Sequence, residues 1–84
     1  MRIVLVEDID DSRTTMADYL RMLGHQVDTA ADGREGLELI IARQPDLAIV
    51  DIGLPVIDGY EVARQVRISA QPAPSLIALT GYGQ

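Results

Sequence analysis

Four short apolar runs recur along the chain, separated by longer stretches of mixed polarity. Three of them are continuous apolar runs, which are typical of strands buried on both faces. In the other run Val27 and Thr29 alternate with polar residues, which indicates a short outer strand. The predicted strands are residues 2–8, 25–30, 47–50 and 76–80.

The stretch after the first strand has helical spacing. Met16, Leu20 and Leu23 recur every three or four residues, and a glycine follows them. Asp11 or Ser12 can cap the start of this helix. We therefore predict a first helix whose three apolar residues contribute to the core.

Two further stretches carry helix start and stop signals. Asp32 and Glu35 have the spacing of a capping box, and Gln44 before a proline ends that second helix. Asp58 and Glu61 have the same spacing at the start of a third helix. Strands and helices thus alternate along the whole chain.

This alternation predicts the fold class. Continuous apolar strands joined by helices form a parallel sheet covered on both faces by right-handed crossovers. The expected fold is an α/β doubly wound domain. In such sheets ligands bind beyond the carboxyl ends of the strands, so the residues that end each strand are the ones to inspect.

Composition narrows the range of functions. The chain has 84 residues, enough for one small domain, and a formal net charge of −6, which disfavours binding to nucleic acid. It has no cysteine, so disulfides and thiolate metal sites are excluded. No apolar run is long enough to span a membrane and the start does not resemble a signal peptide. We expect a cytoplasmic protein.

Acidic side chains end two of the predicted strands. Glu7 and Asp8 end the first strand and Asp51 ends the third. Carboxyl ends of parallel strands share one edge, so these three carboxylates should lie together and repel one another unless a cation binds. Oxygen ligands without histidine or cysteine favour Mg²⁺.

Asp51 also has the chemistry of a phosphoryl acceptor, because a carboxylate can attack phosphorus to form an aspartyl phosphate. Gly53 allows a backbone carbonyl to approach the ion. Thr80, at the end of the fourth strand, has a hydroxyl that can donate to a phosphoryl oxygen. Each residue alone has a simpler explanation: Asp51 as a turn cap, Glu7 as a solvated acid, Thr80 as an ordinary strand residue.

Taken together, these positions resemble the receiver (response regulator) domain of two-component signalling. The resemblance rests on VEDIDDSR near the start, DLAIVD followed by GLPVIDGYE in the middle, and LIALTGYGQ at the end. It therefore covers the whole chain. The segments DIGLPVIDGYEVAR and ALTGYGQ are most similar in sequence to the matching segments of receivers attached to sensor kinases.

The resemblance implies a flavodoxin-like receiver fold and a role for each site residue. Asp51 is then the phosphoacceptor, Glu7 and Asp8 form the acidic Mg²⁺ pocket with Asp51, Gly53 offers its backbone carbonyl to the metal, and Thr80 is the switch hydroxyl. The implied partner is a histidine kinase or phosphotransfer protein. The chain would be a phosphoacceptor in a phosphorelay and not itself an enzyme, although a parent chain could be a histidine kinase.

The chain departs from the receiver pattern after the fourth strand. A complete receiver continues through a fourth helix, a fifth strand with a lysine, and a fifth helix, whereas this chain contains no lysine. Residues 1–84 are therefore expected to form an incomplete receiver domain, as a fragment or a partial record of a longer chain. Loss of the fifth strand would expose residues 76–80 as an edge, through which a homodimer could form.

Other functions remain to be weighed. An aspartyl-phosphate hydrolase of the haloacid dehalogenase type needs a second aspartate where this chain has Gly53. A pseudo-receiver that acts only in protein interaction or dimerisation stays open, because the lysine is missing. The phosphate-binding and dinucleotide-binding glycine motifs are both absent from the sequence. The sequence does not identify the cognate kinase, the output or the oligomeric state.

Overall fold

The computed structural model describes residues 1–51, 59–69 and 75–79. Strands and helices alternate, as predicted, and each element is close to its predicted position. The strands are β1 (Arg2–Val6), β2 (Gln26–Ala30), β3 (Leu47–Asp51) and β4 (Ser75–Leu79). The helices are α1 (Asp10–Met22), α2 (Gly33–Arg43) and α3 (Gly59–Ser69).

All strand pairings in the sheet are parallel, and the order is β2-β1-β3-β4. The prediction of a parallel α/β sheet with β2 on the outside is therefore confirmed. Within the described residues β4 forms the other edge and pairs with β3 from Leu47↔Ser75 to Asp51↔Leu79. A homodimer through this edge stays a prediction.

The core has two halves, one on each face of the sheet, and aliphatic residues form both. On one face Val4, Val6 and Val50 pack with Ile40 of α2 and Val66 of α3. The other face is covered by α1. Its buried residues are Ile3, Leu5, Ala17, Val27 and Ile49. Each fully buried aliphatic side chain contributes about 1.5–3 kcal/mol to folding, so both faces anchor β1 and β3, the strands at whose carboxyl ends Glu7 and Asp51 lie.

Two predictions about α1 are wrong. The N-cap residue is Ile9, so Asp11 and Ser12 lie inside the first turn rather than at the cap position. Leu23 is 58% exposed because the helix ends at Met22 and Leu23 already belongs to its C-cap. Met16 and Leu20 do pack against the core, as predicted.

The start and end of α2 match the prediction. The Asp32 carboxylate accepts a hydrogen bond from the Glu35 N–H (2.9 Å), and the Glu35 carboxylate accepts one from the Ala31 N–H (2.9 Å). Gln44 ends the helix in a left-handed conformation with φ 49°. The first bond satisfies an unpaired backbone donor in the first turn of α2, whereas the second reaches the residue before the N-cap, one position earlier than in a standard capping box.

A close approach fixes α2 against β1. Gly36 of α2 lies so near to Val6 that a Cβ atom at this position would stand only 2.9 Å from Val6 Cγ1 and still closer to Cγ2. Only glycine allows this spacing. Since Val6 immediately precedes Glu7, the contact fixes the end of β1 that bears the acidic residues.

Candidate functional site

The sheet register brings the acidic residues together. Val6 of β1 pairs with Val50 of β3, and each is followed by an acid, Glu7 or Asp51. Because the two strands are parallel neighbours, both acids emerge at the same carboxyl edge. The predicted meeting of these residues across more than forty positions of sequence is confirmed.

Three carboxylates form an acidic cluster at this edge, made of Glu7, Asp8 and Asp51. One oxygen from each lies within 4.8 Å of the others. Glu7 and Asp51 are buried, 6% and 5% exposed, whereas Asp8 is exposed. The cluster is therefore buried at Glu7 and Asp51 and accessible from solvent at Asp8.

Burial is the largest factor that raises the pKa of Glu7 above its ordinary value, because it disfavours the charged carboxylate. A hydrogen bond from the Ile9 N–H to Glu7 Oε1 (3.1 Å) acts in the opposite direction. The negative charge of Asp51, and a hydrogen bond and charge from Asp8, raise the pKa further. Glu7 is thus a carboxylate that a bound cation would stabilise.

The donor set of the acidic cluster fits Mg²⁺. It consists only of carboxylate oxygens, which Mg²⁺ prefers, and one to three carboxylates leave room for water and a phosphoryl oxygen. Two oxygens bound to the same Mg²⁺ lie at most about 4.2 Å apart, given Mg–O distances near 2.1 Å. The cluster oxygens lie within 4.8 Å of one another, which is close to this limit, so a small side-chain adjustment would bring them to ligand spacing.

Arg13 is a residue near the site that the sequence analysis missed. Its Nη1 donates to the backbone carbonyl of Glu7 (3.0 Å), and its Nη2 pairs with the Asp10 carboxylate. Helical side chains point toward the helix N-terminus. An arginine in the first turn, directly after an acidic strand end, was the signal available in the sequence.

Several predicted site residues lie outside the described residues. These are Gly53 and Thr80; Asp58, predicted to start the third helix, lies outside the described residues as well. The metal contact through the Gly53 carbonyl and the switch role of Thr80 stay predictions. Asp10 lies outside the acidic cluster; it is the first residue of α1 and pairs with Arg13.

Comparison with known proteins decides the family. The family model described as the response regulator receiver domain matches residues 3–84. This chain belongs to the receiver domain family. The expected fold class and family are therefore confirmed, and the chain is a signalling domain of two-component systems.

Among curated relatives, this receiver domain is similar to the transcriptional regulatory protein AfsQ1 of Streptomyces coelicolor, with 45% identity over 69 residues. That match covers 82% of the chain and 31% of AfsQ1. The chain thus spans about a third of the length of the curated relatives it matches.

Solved structures agree on the fold. One similar structure is the receiver domain of the sensor histidine kinase PA1611 from Pseudomonas aeruginosa, which has a magnesium ion in its active-site cleft. It is 36% identical to this chain with a TM-score of 0.86, and the match covers 94% of this chain and 66% of that one. The response regulator TrrA from Thermotoga maritima, in complex with Mg²⁺-BeF, is 35% identical with a TM-score of 0.88 over 98% and 70% of the two chains. Receiver domains on a sensor kinase and on separate regulators are thus both similar to this chain.

The described helices do not include any that is long and apolar enough to cross a membrane.

Proposed function

We propose that this receiver domain accepts a phosphoryl group on Asp51 from a phosphohistidine of a histidine kinase or phosphotransfer protein. The observation that carries the proposal is the acidic cluster: three carboxylates within 4.8 Å at the carboxyl edge of a parallel sheet, in a chain of the receiver family. Magnesium in the PA1611 and TrrA structures supports Mg²⁺ as the cofactor.

In the proposed reaction a carboxylate oxygen of Asp51 attacks the phosphorus. A new O–P bond forms as the N–P bond to the donor histidine breaks, and the electron pair of that bond returns to the imidazole nitrogen, which takes up a proton. Burial of Asp51, only 5% exposed, limits access by water to the acyl phosphate. Strand β3, buried on both faces, holds the nucleophile in place for attack.

Glu7, Asp8 and Asp51 are the residues that would hold Mg²⁺, with the backbone carbonyl of Gly53 as a further ligand. When bound, the ion would neutralise charge on the transferring phosphoryl group. Glu7 contributes a buried carboxylate and Asp8 an exposed one, so the ion would reach the site from the side of Asp8. Thr80 would donate its hydroxyl to the phosphoryl group and respond to its charge.

The output is a shift between two surface states, driven by the added charge of the phosphoryl group. Transfer from a kinase supplied with ATP places the chain in the cytoplasm. Its net charge of −6 disfavours direct contact with nucleic acid. Residues 1–84 belong to one receiver domain in this proposal, in agreement with the family match over residues 3–84.

The test is phosphorylation of the chain by a small phosphodonor such as acetyl phosphate, followed by intact-mass measurement. We expect one phosphoryl group with Mg²⁺ and none with a chelator. Asp51→Asn should abolish the label, whereas Asp46→Asn, which alters an exposed aspartate at the opposite end of β3, should retain it. A label that persists in Asp51→Asn would refute the assignment. Mg²⁺ binding without any phosphorylation would favour the pseudo-receiver that acts only in protein interaction.

A further inference from the structure

The Arg13 side chain is hydrogen-bonded to the segment that leads from β1 into α1. Its guanidinium donates through Nη1 to the Glu7 backbone carbonyl (3.0 Å) and through Nη2 to the Asp10 carboxylate. The side chain is only 19% exposed, although Asp10 is exposed. An arginine held by two acceptors at once has little freedom left, because its planar fork fixes the direction of both bonds.

The two acceptors of Arg13 lie at the two ends of one short segment, Glu7 to Asp10. Asp8, the exposed carboxylate of the acidic cluster, lies between them. Two further bonds tighten the same segment: the Ile9 N–H donates to Glu7 Oε1 (3.1 Å), and the Arg13 N–H donates to the Ile9 carbonyl (2.9 Å). The Arg13 side chain thus links both ends of the backbone segment that carries Asp8.

We propose that Arg13 is a positioning residue for the metal site: by bridging the Glu7 carbonyl and the Asp10 carboxylate, it holds Asp8 where it can bind a divalent cation together with Glu7 and Asp51. This inference rests on the proposed function, because it assumes that the acidic cluster binds Mg²⁺. Arg13 does not itself contact the cation or the phosphoryl group. It acts through the shape of the loop.

A competing effect predicts the opposite sign. A positive charge near a cation site repels the cation, so removal of Arg13 would tighten Mg²⁺ binding if charge dominated. The charge of Arg13 is paired with that of Asp10, and this pairing largely cancels the repulsion. Positioning should therefore dominate, and the direction of the change in affinity distinguishes the two effects.

The test is Mg²⁺ titration of the full chain by isothermal calorimetry, with no phosphodonor present. We expect Arg13→Ala to weaken Mg²⁺ binding about tenfold, as is typical when a residue that orients a metal ligand is removed. Arg13→Lys should recover only part of the affinity, since an ammonium group lacks the planar fork that reaches both acceptors. Circular dichroism checks that each variant is folded.

Arg21→Ala is the matched control. Arg21 lies on the same helix, donates to the backbone carbonyl of Val27 (2.8 Å) and is 3.9 Å from an acid, Asp18, but it lies at the end of α1 away from the acidic cluster. Its loss removes the same kind of bond and the same charge. We expect unchanged Mg²⁺ affinity.

A second readout reports the loop itself. Amide hydrogen exchange at Ile9 should accelerate in Arg13→Ala and stay as in the wild type in Arg21→Ala. Equal or tighter Mg²⁺ binding by Arg13→Ala would overturn the positioning role while leaving the proposed function intact. Full recovery of Mg²⁺ affinity in Arg13→Lys would show that bonds to both the Glu7 carbonyl and the Asp10 carboxylate are not needed. Failure of the wild-type chain to bind Mg²⁺ would instead overturn the proposed function, and the inference with it.

Discussion

Replacement of Asp51 by asparagine should stabilise the metal-free chain, although it removes the proposed acceptor. Asparagine has nearly the same shape as aspartate but no charge. Glu7 and Asp51 are both buried, with Asp8 beside them, so the folded state holds three acids whose charges repel. Loss of one charge relieves this repulsion, which exists only when the chain is folded.

The magnitude follows from the geometry. Two unit charges no more than 4.8 Å apart repel by at least roughly 3 kcal/mol at an effective dielectric constant of about 20. Solvent screens the charge of the exposed Asp8, which reduces its share of the repulsion. We therefore expect a net increase of about 1–2 kcal/mol in the free energy of unfolding.

The assay is urea unfolding followed by circular dichroism at neutral pH in a chelator. Glu38→Gln is the control, because it removes one negative charge from an exposed position on α2 and corrects for the general effect of a net charge of −6. With saturating Mg²⁺ the wild type should instead be more stable than Asp51→Asn, since the bound ion adds more to the free energy of unfolding of the wild type. A metal-free Asp51→Asn variant no more stable than Glu38→Gln would refute the electrostatic account of the site.

Three further predictions concern the end of β1 and its surroundings. In the metal-free chain, the folded state binds the proton of Glu7 more tightly than the unfolded state does, because folding raises the pKa of Glu7. The contribution of Glu7 to the free energy of unfolding should therefore be full below pH 4.5, its ordinary pKa, and be lost as the pH rises through the raised pKa. A free energy of unfolding that instead rises with pH in a Glu7-dependent manner would contradict this. Gly36→Ala should cost about 1–3 kcal/mol by its clash with Val6. In a double-mutant cycle followed by thermal unfolding, the loss caused by Gly36→Ala should be smaller in a Val6→Ala background, and strictly additive losses would argue against the contact. Asp32→Ala should cost about 1 kcal/mol in urea unfolding by removing the α2 cap, and an unchanged midpoint would rule the cap out as a source of stability.

The apolar pattern was sufficient to predict that β1 and β3 end at the same edge of the sheet. Their continuous apolar runs required burial on both faces, and the intervening helical segments required parallel crossovers, so the carboxyl ends had to share an edge. Direct pairing of β1 with β3, which brings Glu7 next to Asp51, does not follow from the apolar pattern and is given by the observed sheet order. Asp32 could be predicted as a cap because capping depends on residues only three positions apart.

Other features depended on contacts that no local pattern reveals. Asp11 and Ser12 are good capping residues, but the helix begins earlier, at Asp10, whose carboxylate pairs with Arg13. Leu23 continues the apolar spacing of α1 beyond the point at which the helix ends, and is exposed there. Arg13 donates to a backbone carbonyl, which every residue has, so this partner could not be predicted from side-chain types.

The central claim is that Asp51 itself carries the phosphoryl group. The most direct measurement is reduction of the phosphorylated chain with borohydride, which converts an aspartyl phosphate into homoserine with release of phosphate, followed by peptide mass spectrometry. We expect homoserine at position 51, in the peptide that contains the end of β3, and only after incubation with both phosphodonor and Mg²⁺. Homoserine at another aspartate, or an unmodified Asp51 in a chain that has gained a phosphoryl group, would contradict the account.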